Sequence, residues 1–273
     1  LNLTLSSIVC GGRMTETTIA QDLELCLAQD PLLVRAAQEL RYRVFYEEMG
    51  AVANPATLGS ALDADAFDAI ADHLIVVDRR RTEPDRPFVV GCYRLLRGPV
   101  AARHGGFYSS GEFDLGVLEG RRSKIVELGR SCVHAEYRNG TVMQLLWRGI
   151  AQYLERHDLE VMLGCASLPG THLARWTASL AFLAAEHLAP AAIRPQPLPH
   201  RHVALPSPTR FTAIELERGK ALLPPLLKAY LRMGGMIGDG AVIDHQFNTV
   251  DVRLVLPTDR LKDRYLRHLA TAK

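Results

Sequence analysis

A stretch near the middle of the chain constrains the fold most, because it passes from strand to helix within a few residues. Residues 124–134, KIVELGRSCVH, form a mostly apolar segment typical of a buried strand. Residues 141–157 place their apolar side chains along one stripe, which predicts an amphipathic helix. The polar turn AEYRNG joins the two. A strand that leads directly into such a helix is typical of proteins in which helices cover a sheet.

Apolar patterns also predict the strands and helices in the rest of the chain. Alternating or continuous apolar runs predict strands over 23–28, 73–78, 88–97 and 160–167, and a strand pair within 234–257. Helical spacing predicts helices over 31–49, 173–188, 222–233 and 259–269. Strands that first pair as a meander and then alternate with helices indicate a mixed, mostly antiparallel sheet flanked by helices.

The length of 273 residues permits a large core, and we predict one main domain. Residues 1–20 are expected to be a disordered tail or an upstream extension. Residues 21–190 are expected to form the core, and residues 191–273 a C-terminal extension that packs on it and completes the acceptor and acyl site. No window approaches the roughly 20 apolar residues that a membrane span requires, so an integral membrane protein is excluded.

The charge and the cysteines limit the partners and the compartment. A net charge of +2 is too small for a protein whose main partner is nucleic acid. The five cysteines are scattered without a CxxC pair, which predicts reduced thiols in the cytoplasm and neither a disulfide framework nor a metal site.

The turn before the central helix is suited to binding an anion. Its glycine allows backbone N–H groups to converge at a helix start, where the helix dipole favours a phosphate. The residues that would form this site are Arg138, Asn139, Gly140, Thr141 and Val142. An ordinary strand-to-helix turn is the alternative.

Four short motifs connect the chain with a known family. In chain order they are RYRVF with Arg41 and Phe45, DADAFD with Asp65 and Asp68, GCYRLL with Arg94, and ELGR with Glu127 and Arg130. This series resembles the acyl-homoserine-lactone synthases, which have the N-acetyltransferase-like fold. One position departs from that family, because Ala51 stands where the synthases have tryptophan.

A second resemblance covers nearly the whole chain from residue 23 onward. LRYRVFYEEMGA, GCASLPGTH and the long GDGAVIDHQFNTVDV are similar to the ornithine N-acyltransferases that make lyso-ornithine lipid. The resemblance implies transfer of a fatty acyl group, or a 3-hydroxy fatty acyl group, from acyl carrier protein to the α-amino group of ornithine. It implies acyl-phosphopantetheine as the donor and no permanently bound cofactor. It also implies a cytoplasmic enzyme, with peripheral contact at the inner membrane left open.

Two charged residues in the central strand are the candidates for catalysis. Amide formation requires a group that orients or deprotonates the attacking amine, and Glu127 is the candidate. Arg130 follows three residues later, so a regular strand would direct the two side chains to opposite faces. A bulge near Gly129 would bring them to one cleft. A structural ion pair is the alternative.

The other motif residues are candidates for binding the acceptor. By resemblance Asp65, Asp68 and Phe45 line the acceptor pocket, where the aspartates would suit the ammonium groups of ornithine. Arg41 and Arg94 would bind its carboxylate, or would instead hold the aspartates in place. Helix capping is the alternative role of Asp65 and Asp68.

A basic cluster precedes the central strand. Arg121, Arg122 and Lys124 are predicted to dock the acidic acyl carrier protein, although loop charges of this kind are usually only solvated. Two other functions remain as alternatives: a lactone synthase or another amino-acid N-acyltransferase, and a non-catalytic module that binds a carrier protein or a lipid.

Overall fold

The structure is a computed structural model that describes residues 22–261. Its strands are β1 (Leu23–Ala28), β2 (Asp72–Asp78), β3 (Val89–Arg97), β4 (Phe113–Asp114), β5 (Ile125–Val133), β6 (Val161–Pro169), β7 (Gln196–Pro197), β8 (Met236–Asp244) and β9 (Thr249–Pro257). Seven of them form a sheet in the order β1-β2-β3-β5-β6-β9-β8, and β4 pairs with β7. The pairs β1–β2, β2–β3, β6–β9 and β8–β9 are antiparallel, and β5–β6 is parallel. The predicted mixed, mostly antiparallel sheet is therefore confirmed.

Helices accompany the sheet. They are α1 (Pro31–Tyr42), α2 (Pro55–Ser60), α3 (Gly98–Arg103), α4 (Thr141–Arg156), α5 (Leu173–Glu186), α6 (Ala213–Leu222) and α7 (Pro225–Arg232). Of these, α1, α4, α5 and α7 lie where the sequence predicts helices, whereas α2, α3 and α6 were not predicted. Helix α1 begins where Asp30 accepts a hydrogen bond from Leu32 N at 2.8 Å and where Pro31 occupies the first turn. It continues as a π-helical segment, Arg43–Glu48, so the predicted helix extends close to the predicted stop at Gly50.

The described chain divides into two compact units, of which the first comprises residues 22–96 and 128–158. Strand β2 is buried on both faces, which explains its continuous apolar sequence. Ile75 and Val77 belong to a core cluster with the apolar side of α1. Leu74, on the other face, would be 2.8 Å from a Cβ placed on Gly149 of α4, so that helix packs close to the strand.

The second unit comprises residues 97–127 and 159–261. The hairpin of β8 and β9 lies beside β6 and forms the predicted strand pair. Helix α6 was not predicted, because its apolar residues do not follow one stripe. A sequence signal was nevertheless present: Thr212 and Glu215 have the spacing of a capping box, and the structure contains that box.

Other sequence-based expectations fall partly outside the described chain. Residues 1–20 and most of the predicted helix 259–269 lie outside it. The described Thr258–Arg260 is a short 3-10 turn. Cys92, Cys132 and Cys165 are free thiols. Among residues 22–261, no helix is long and apolar enough to cross a membrane.

The contact between α5 and α6 depends on Gly219. A Cβ at this position would lie 2.4 Å from the backbone carbon and oxygen of Ala178, and Ser179 Oγ donates to Gly219 O at 2.8 Å. We predict that Gly219→Ala lowers the free energy of unfolding by about 1–3 kcal/mol, because backbone must shift to admit the methyl group. Urea denaturation measures this change. Gly59→Ala in α2, where a Cβ meets nothing within 4 Å, is the matched control; equal stability of the two variants would contradict the close helix contact.

Candidate functional site

Most of the motif residues belong to one buried ion-pair network in the first unit. The network consists of three arginines and three aspartates: Arg41, Arg94, Arg130, Asp63, Asp65 and Asp68. Their formal charges sum to zero. Asp63 was not among the predicted residues, although it precedes Asp65 by two positions in the same loop.

Arg41 is the most buried member, with 1% of its surface exposed. It lies in the last turn of α1, where Nε donates to Asp63 Oδ2 at 2.8 Å and Nη2 donates to Asp68 Oδ2 at 2.7 Å. Burial alone would lower the pKa of Arg41, but its hydrogen bond to Asp68 and the charges of Asp63 and Asp68 raise it. Burial would likewise raise the pKa of Asp68, yet the bond and charge of Arg41 hold it well below its usual range. Both groups therefore stay ionised at neutral pH.

The other two arginines complete the network. Arg94 Nη1 donates to Asp65 Oδ1 at 2.6 Å and to Asp68 Oδ1 at 3.0 Å. Arg130 donates from Nε to Asp63 Oδ2 at 2.9 Å and from Nη2 to Asp65 Oδ2 at 3.0 Å. These contacts correspond to the alternative role of Arg41 and Arg94, which is to hold the aspartates in place.

Asp65 and Asp68 also cap a 3-10 turn within their own loop. Asp65 Oδ1 accepts from Phe67 N at 2.8 Å, and Asp68 Oδ2 accepts from Asp65 N at 3.2 Å, at the start of a 3-10 turn. The side chain of Asp65 is 25% exposed and that of Asp68 is 6% exposed, so Asp65 is the more accessible of the two. Phe45 is half-buried against the core cluster of the first unit. Their assignment to the acceptor pocket stays a prediction.

Strand β5 contains a kink at the position of the second catalytic candidate. Arg130 has φ +51°, the left-handed region that side chains other than glycine rarely adopt, at a cost of about 1–2 kcal/mol. The kink was predicted near Gly129, and the left-handed residue is its neighbour. The two ion pairs of Arg130 hold the side chain in this orientation.

Glu127 lies in the second unit and has its own set of partners. Its carboxylate, 5% exposed, accepts from Tyr108 N at 2.7 Å, Ser109 N at 3.2 Å and Arg253 Nη1 at 2.9 Å. The Ser109 hydroxyl donates to the same carboxylate. Four donors therefore fix Glu127, an arrangement suited to orienting neighbouring groups.

Three further polar residues gather beside Arg253, and none of them was predicted as a site residue. Ligand atoms of Glu112, Cys165 and Asp251 all lie within 4.8 Å of one another. Arg253 Nη1 lies 3.9 Å from Cys165 Sγ. A sequence signal existed for Asp251 and Arg253, since they interrupt the otherwise apolar strand TVDVRLVLP at a spacing of two.

This spacing resembles a metal site, but the chemistry disfavours one. Burial raises the pKa of the Cys165 thiol. Arg253 opposes this shift, and the charges of Asp251, Glu112 and Glu127 add to it. A thiol that resists deprotonation and lies beside a guanidinium is a poor ligand for a cation.

The surroundings of Glu112 disfavour the ionised form of its carboxyl group. Burial, and then the charges of Asp251 and Asp244, raise its pKa to about 7, although Arg201 lies 2.6 Å away and opposes the shift. Two neighbouring negative charges therefore add to the effect of burial on Glu112, and Arg201 is the opposing positive charge.

The predicted anion-binding turn lies in the first unit. Gly140 has φ +98° at the N-terminus of α4, and Arg138, Asn139 and Gly140 are exposed. Asn139 Oδ1 accepts from Thr141 N at 3.1 Å, and Arg138 Nη2 forms an ion pair with Glu48. Val142 is fully buried, so its side chain is not available to a ligand at this turn.

The predicted docking cluster lies at the end of a 3-10 segment that leads into β5. Arg121 Nη2 is 2.5 Å from Glu160 Oε2, and Arg122 Nη2 is 2.7 Å from Glu119 Oε1. Lys124 is the last residue of the segment. Surface ion pairs of this kind contribute little stability, so the arginines can exchange partners at low cost.

The buried network makes a direct prediction for stability. Arg41→Gln leaves three aspartates facing two arginines in a desolvated site, and we expect a loss of about 3–5 kcal/mol in the free energy of unfolding. Arg35→Gln in the same helix removes an exposed pair with Glu39 and should cost under ~0.5 kcal/mol. Guanidinium denaturation of both variants measures the difference. A similar small loss in both would show that the network contributes little.

Comparisons with known proteins bear on the family and the fold of the chain. Residues 40–148 match a family described as Acetyltransferase (GNAT) domain. The L-ornithine N(alpha)-acyltransferase of Brucella abortus is 43% identical over 248 residues, which are 90% of this chain and 88% of the relative. The enzyme of the same name from Rhodobacter capsulatus is 41% identical over 89% of this chain and 92% of the relative. The solved structure of FeeM, an N-acyl amino acid synthase from uncultured soil microbes, is similar in fold, with a TM-score of 0.50 and 10% identity over 88% of this chain and 93% of that chain.

Proposed function

The chain belongs to the L-ornithine Nα-acyltransferase family, and we propose that it transfers a fatty acyl or 3-hydroxy fatty acyl group to the α-amino group of L-ornithine. The product would be lyso-ornithine lipid. The single observation that carries this proposal is the identity of 43% over nine-tenths of the chain with a protein of that name. The lactone-synthase alternative has no comparable support, since Ala51 stands in place of that family's tryptophan.

The reaction forms an amide at the expense of a thioester. The neutral α-amine attacks the thioester carbonyl carbon, a tetrahedral oxyanion forms, and the carbon–sulfur bond breaks to release the thiol. One proton leaves the amine and one reaches the thiolate. The protein must therefore orient the amine, receive a proton and stabilise the oxyanion.

We assign Glu127 to the orientation of the amine. Its carboxylate is fixed by two backbone N–H groups, the Ser109 hydroxyl and Arg253, so it is rigid and negatively charged. A rigid carboxylate can accept a hydrogen bond from the attacking amine without prior rearrangement. Because four donors already bond to the Glu127 carboxylate, it is better suited to orienting the amine than to accepting its proton. Arg130 stays the second catalytic candidate.

The acyl donor is proposed to be an acyl-phosphopantetheine thioester of acyl carrier protein, bound at the turn before α4. Support comes from the exposed residues Arg138 to Gly140 at a helix N-terminus, where backbone donors and the helix dipole favour anionic groups. Arg121, Arg122 and Lys124 are proposed to attract the acidic carrier protein.

The proposal is tested by incubating the purified protein with L-ornithine and an acyl carrier protein loaded with a 3-hydroxyacyl chain. Mass spectrometry should detect acylornithine, and fragmentation should place the acyl group on the α-nitrogen. Product formed only from homoserine-type acceptors or from S-adenosylmethionine would support the lactone-synthase alternative. Absence of any acylated product, with folded protein and loaded carrier, would contradict the proposal.

The turn before α4 gives a prediction for donor use. In Gly140→Val, backbone strain at φ +98° should displace the N–H groups, so we expect KM for the acyl carrier to rise about tenfold or more. Gly50→Val is the matched control, because Gly50 also has a positive φ, +76°, and no atom within 4 Å of a Cβ. Steady-state kinetics gives KM for each variant, and melting temperatures give the loss of stability from backbone strain, so the two effects are measured separately. Equal changes of KM in both variants would contradict the placement of the donor.

The basic cluster gives a prediction for the carrier protein. Reversing Arg121 and Arg122 to glutamate should raise KM for acyl carrier protein and weaken its salt dependence, while KM for ornithine stays constant. Reversal of Arg79 and Arg80, which are also exposed and ion-paired, serves as the control. A salt-insensitive preference for free acyl-CoA would remove the reason for this docking surface.

A further inference from the structure

One face of the sheet in the second unit carries an unusual row of polar side chains. Strands β6 and β9 pair in the register Cys165↔Arg253 and Ser167↔Asp251, so these four side chains share a face. Strand β8 adds Asp244, because it pairs with Thr249 on the same face. Polar residues at alternate positions of a mostly buried sheet call for a specific reason.

Two buried groups on this face lack a hydrogen-bond partner within residues 22–261. Arg253 is 1% exposed, and its Nε is unpaired although its Nη1 bonds to Glu127 and Ser109. Thr249 is 3% exposed, and its Oγ1 is also unpaired. An unsatisfied buried donor is costly, so the Arg253 Nε–H favours a ligand that brings an acceptor oxygen.

The other end of the same surface favours a positive charge. Asp251 and Glu112 approach Cys165 with all ligand atoms within 4.8 Å. Within the described residues Glu112 is already paired with Arg201 at 2.6 Å, but Asp251 and Asp244 repel its charge, so a cation between Glu112 and Asp251 would lower that repulsion. This face of the sheet, which we call the acceptor surface, thus presents the unpaired Nε–H of Arg253 and the carboxylates of Glu112 and Asp251.

We propose that this surface binds the amino acid acceptor through both of its charged ends. The α-carboxylate accepts from Arg253 Nε, and the side-chain ammonium lies between Glu112 and Asp251. The matching ligand class is a zwitterionic amino acid with a second, terminal ammonium group. This assignment rests on the proposed function, in which ornithine is the acceptor.

The arrangement accounts for the choice of nitrogen. Two carboxylates stabilise the charged form of the terminal ammonium, so that nitrogen keeps its proton and has no lone pair for attack. The α-nitrogen lies next to the carboxylate that Arg253 holds, and Glu127 bonds to the same guanidinium. Recognition and regiochemistry therefore follow from one set of charges.

The test measures binding without the acyl donor, so it does not depend on turnover. Equilibrium dialysis compares radiolabelled L-ornithine with L-norvaline, which has the same carbon skeleton but no terminal amine. Wild-type protein should bind ornithine at least about tenfold more tightly than norvaline, because the patch discriminates between a buried ammonium and a methyl group. Glu112→Gln and Asp251→Asn should each reduce this ratio severalfold, and the double variant should abolish it while norvaline affinity changes little.

Asp239→Asn is the matched control, since this carboxylate lies on β8 and is 45% exposed beside Arg194. It should leave the ratio unchanged. A wild-type protein without preference for ornithine, or folded variants that keep the full preference, would overturn the inference. If Glu112→Gln does not fold, the inference is still tested by the ratio of ornithine to norvaline affinity in the wild-type protein and in Asp251→Asn. Selective ornithine binding without any acylated product would instead count against the proposed function alone.

Discussion

The structure of the first unit depends on the pairing of Arg41, a guanidinium that is almost entirely removed from water. A buried charge is tolerated only when partners replace its hydration, and Asp63 and Asp68 do so here. The same aspartates bind Arg94 and Arg130, so helix α1, the aspartate loop, β3 and β5 are joined through six side chains of zero net charge. The left-handed backbone at Arg130 persists because this network holds its side chain on both sides.

Strand β5 therefore carries two buried charges with different surroundings. Arg130 belongs to a network in which each aspartate is bonded to arginine, which fits a structural role. Glu127 belongs to a set that includes Arg253, whose Nε has no partner within the described chain. In the network of Arg130 the charged groups bond to one another. In the set of Glu127 the Nε–H of Arg253 is still able to bond to a ligand. This contrast is the reason for placing acceptor recognition at Arg253, Glu112 and Asp251.

Much of the fold was predictable because local patterns in this chain agree with the structure. The passage from β5 to α4 follows from an apolar run, a glycine turn and a helical stripe, and the β8–β9 hairpin follows from the apolar runs on either side of its turn. The kink was predicted near Gly129, because glycine is the default for positive φ, whereas the left-handed residue is the adjacent Arg130, whose side chain is held by tertiary ion pairs. The spacing of the arginines and aspartates indicated a charged cluster, but not which charges would meet.

The sequence did not predict that the second polar set would meet in one place, because its members are far apart in the chain. Arg253 and Glu127 are 126 positions apart, and nothing local identifies them as partners. The alternation of Asp251 and Arg253 in an apolar strand marks them as unusual, yet only the register with β6 places them beside Cys165. Glu112 precedes the two-residue strand β4, where a lone carboxylate in a loop carries no signal.

A crystal structure of the protein with L-ornithine tests this division of roles most directly. We predict the ornithine carboxylate within hydrogen-bond distance of Arg253 Nε and the terminal ammonium between the carboxylates of Glu112 and Asp251, with the ion pairs of Arg41 unchanged. Ornithine bound instead to Asp65 and Arg94, with their mutual ion pair opened, would contradict the account and assign the acceptor to the network of the first unit.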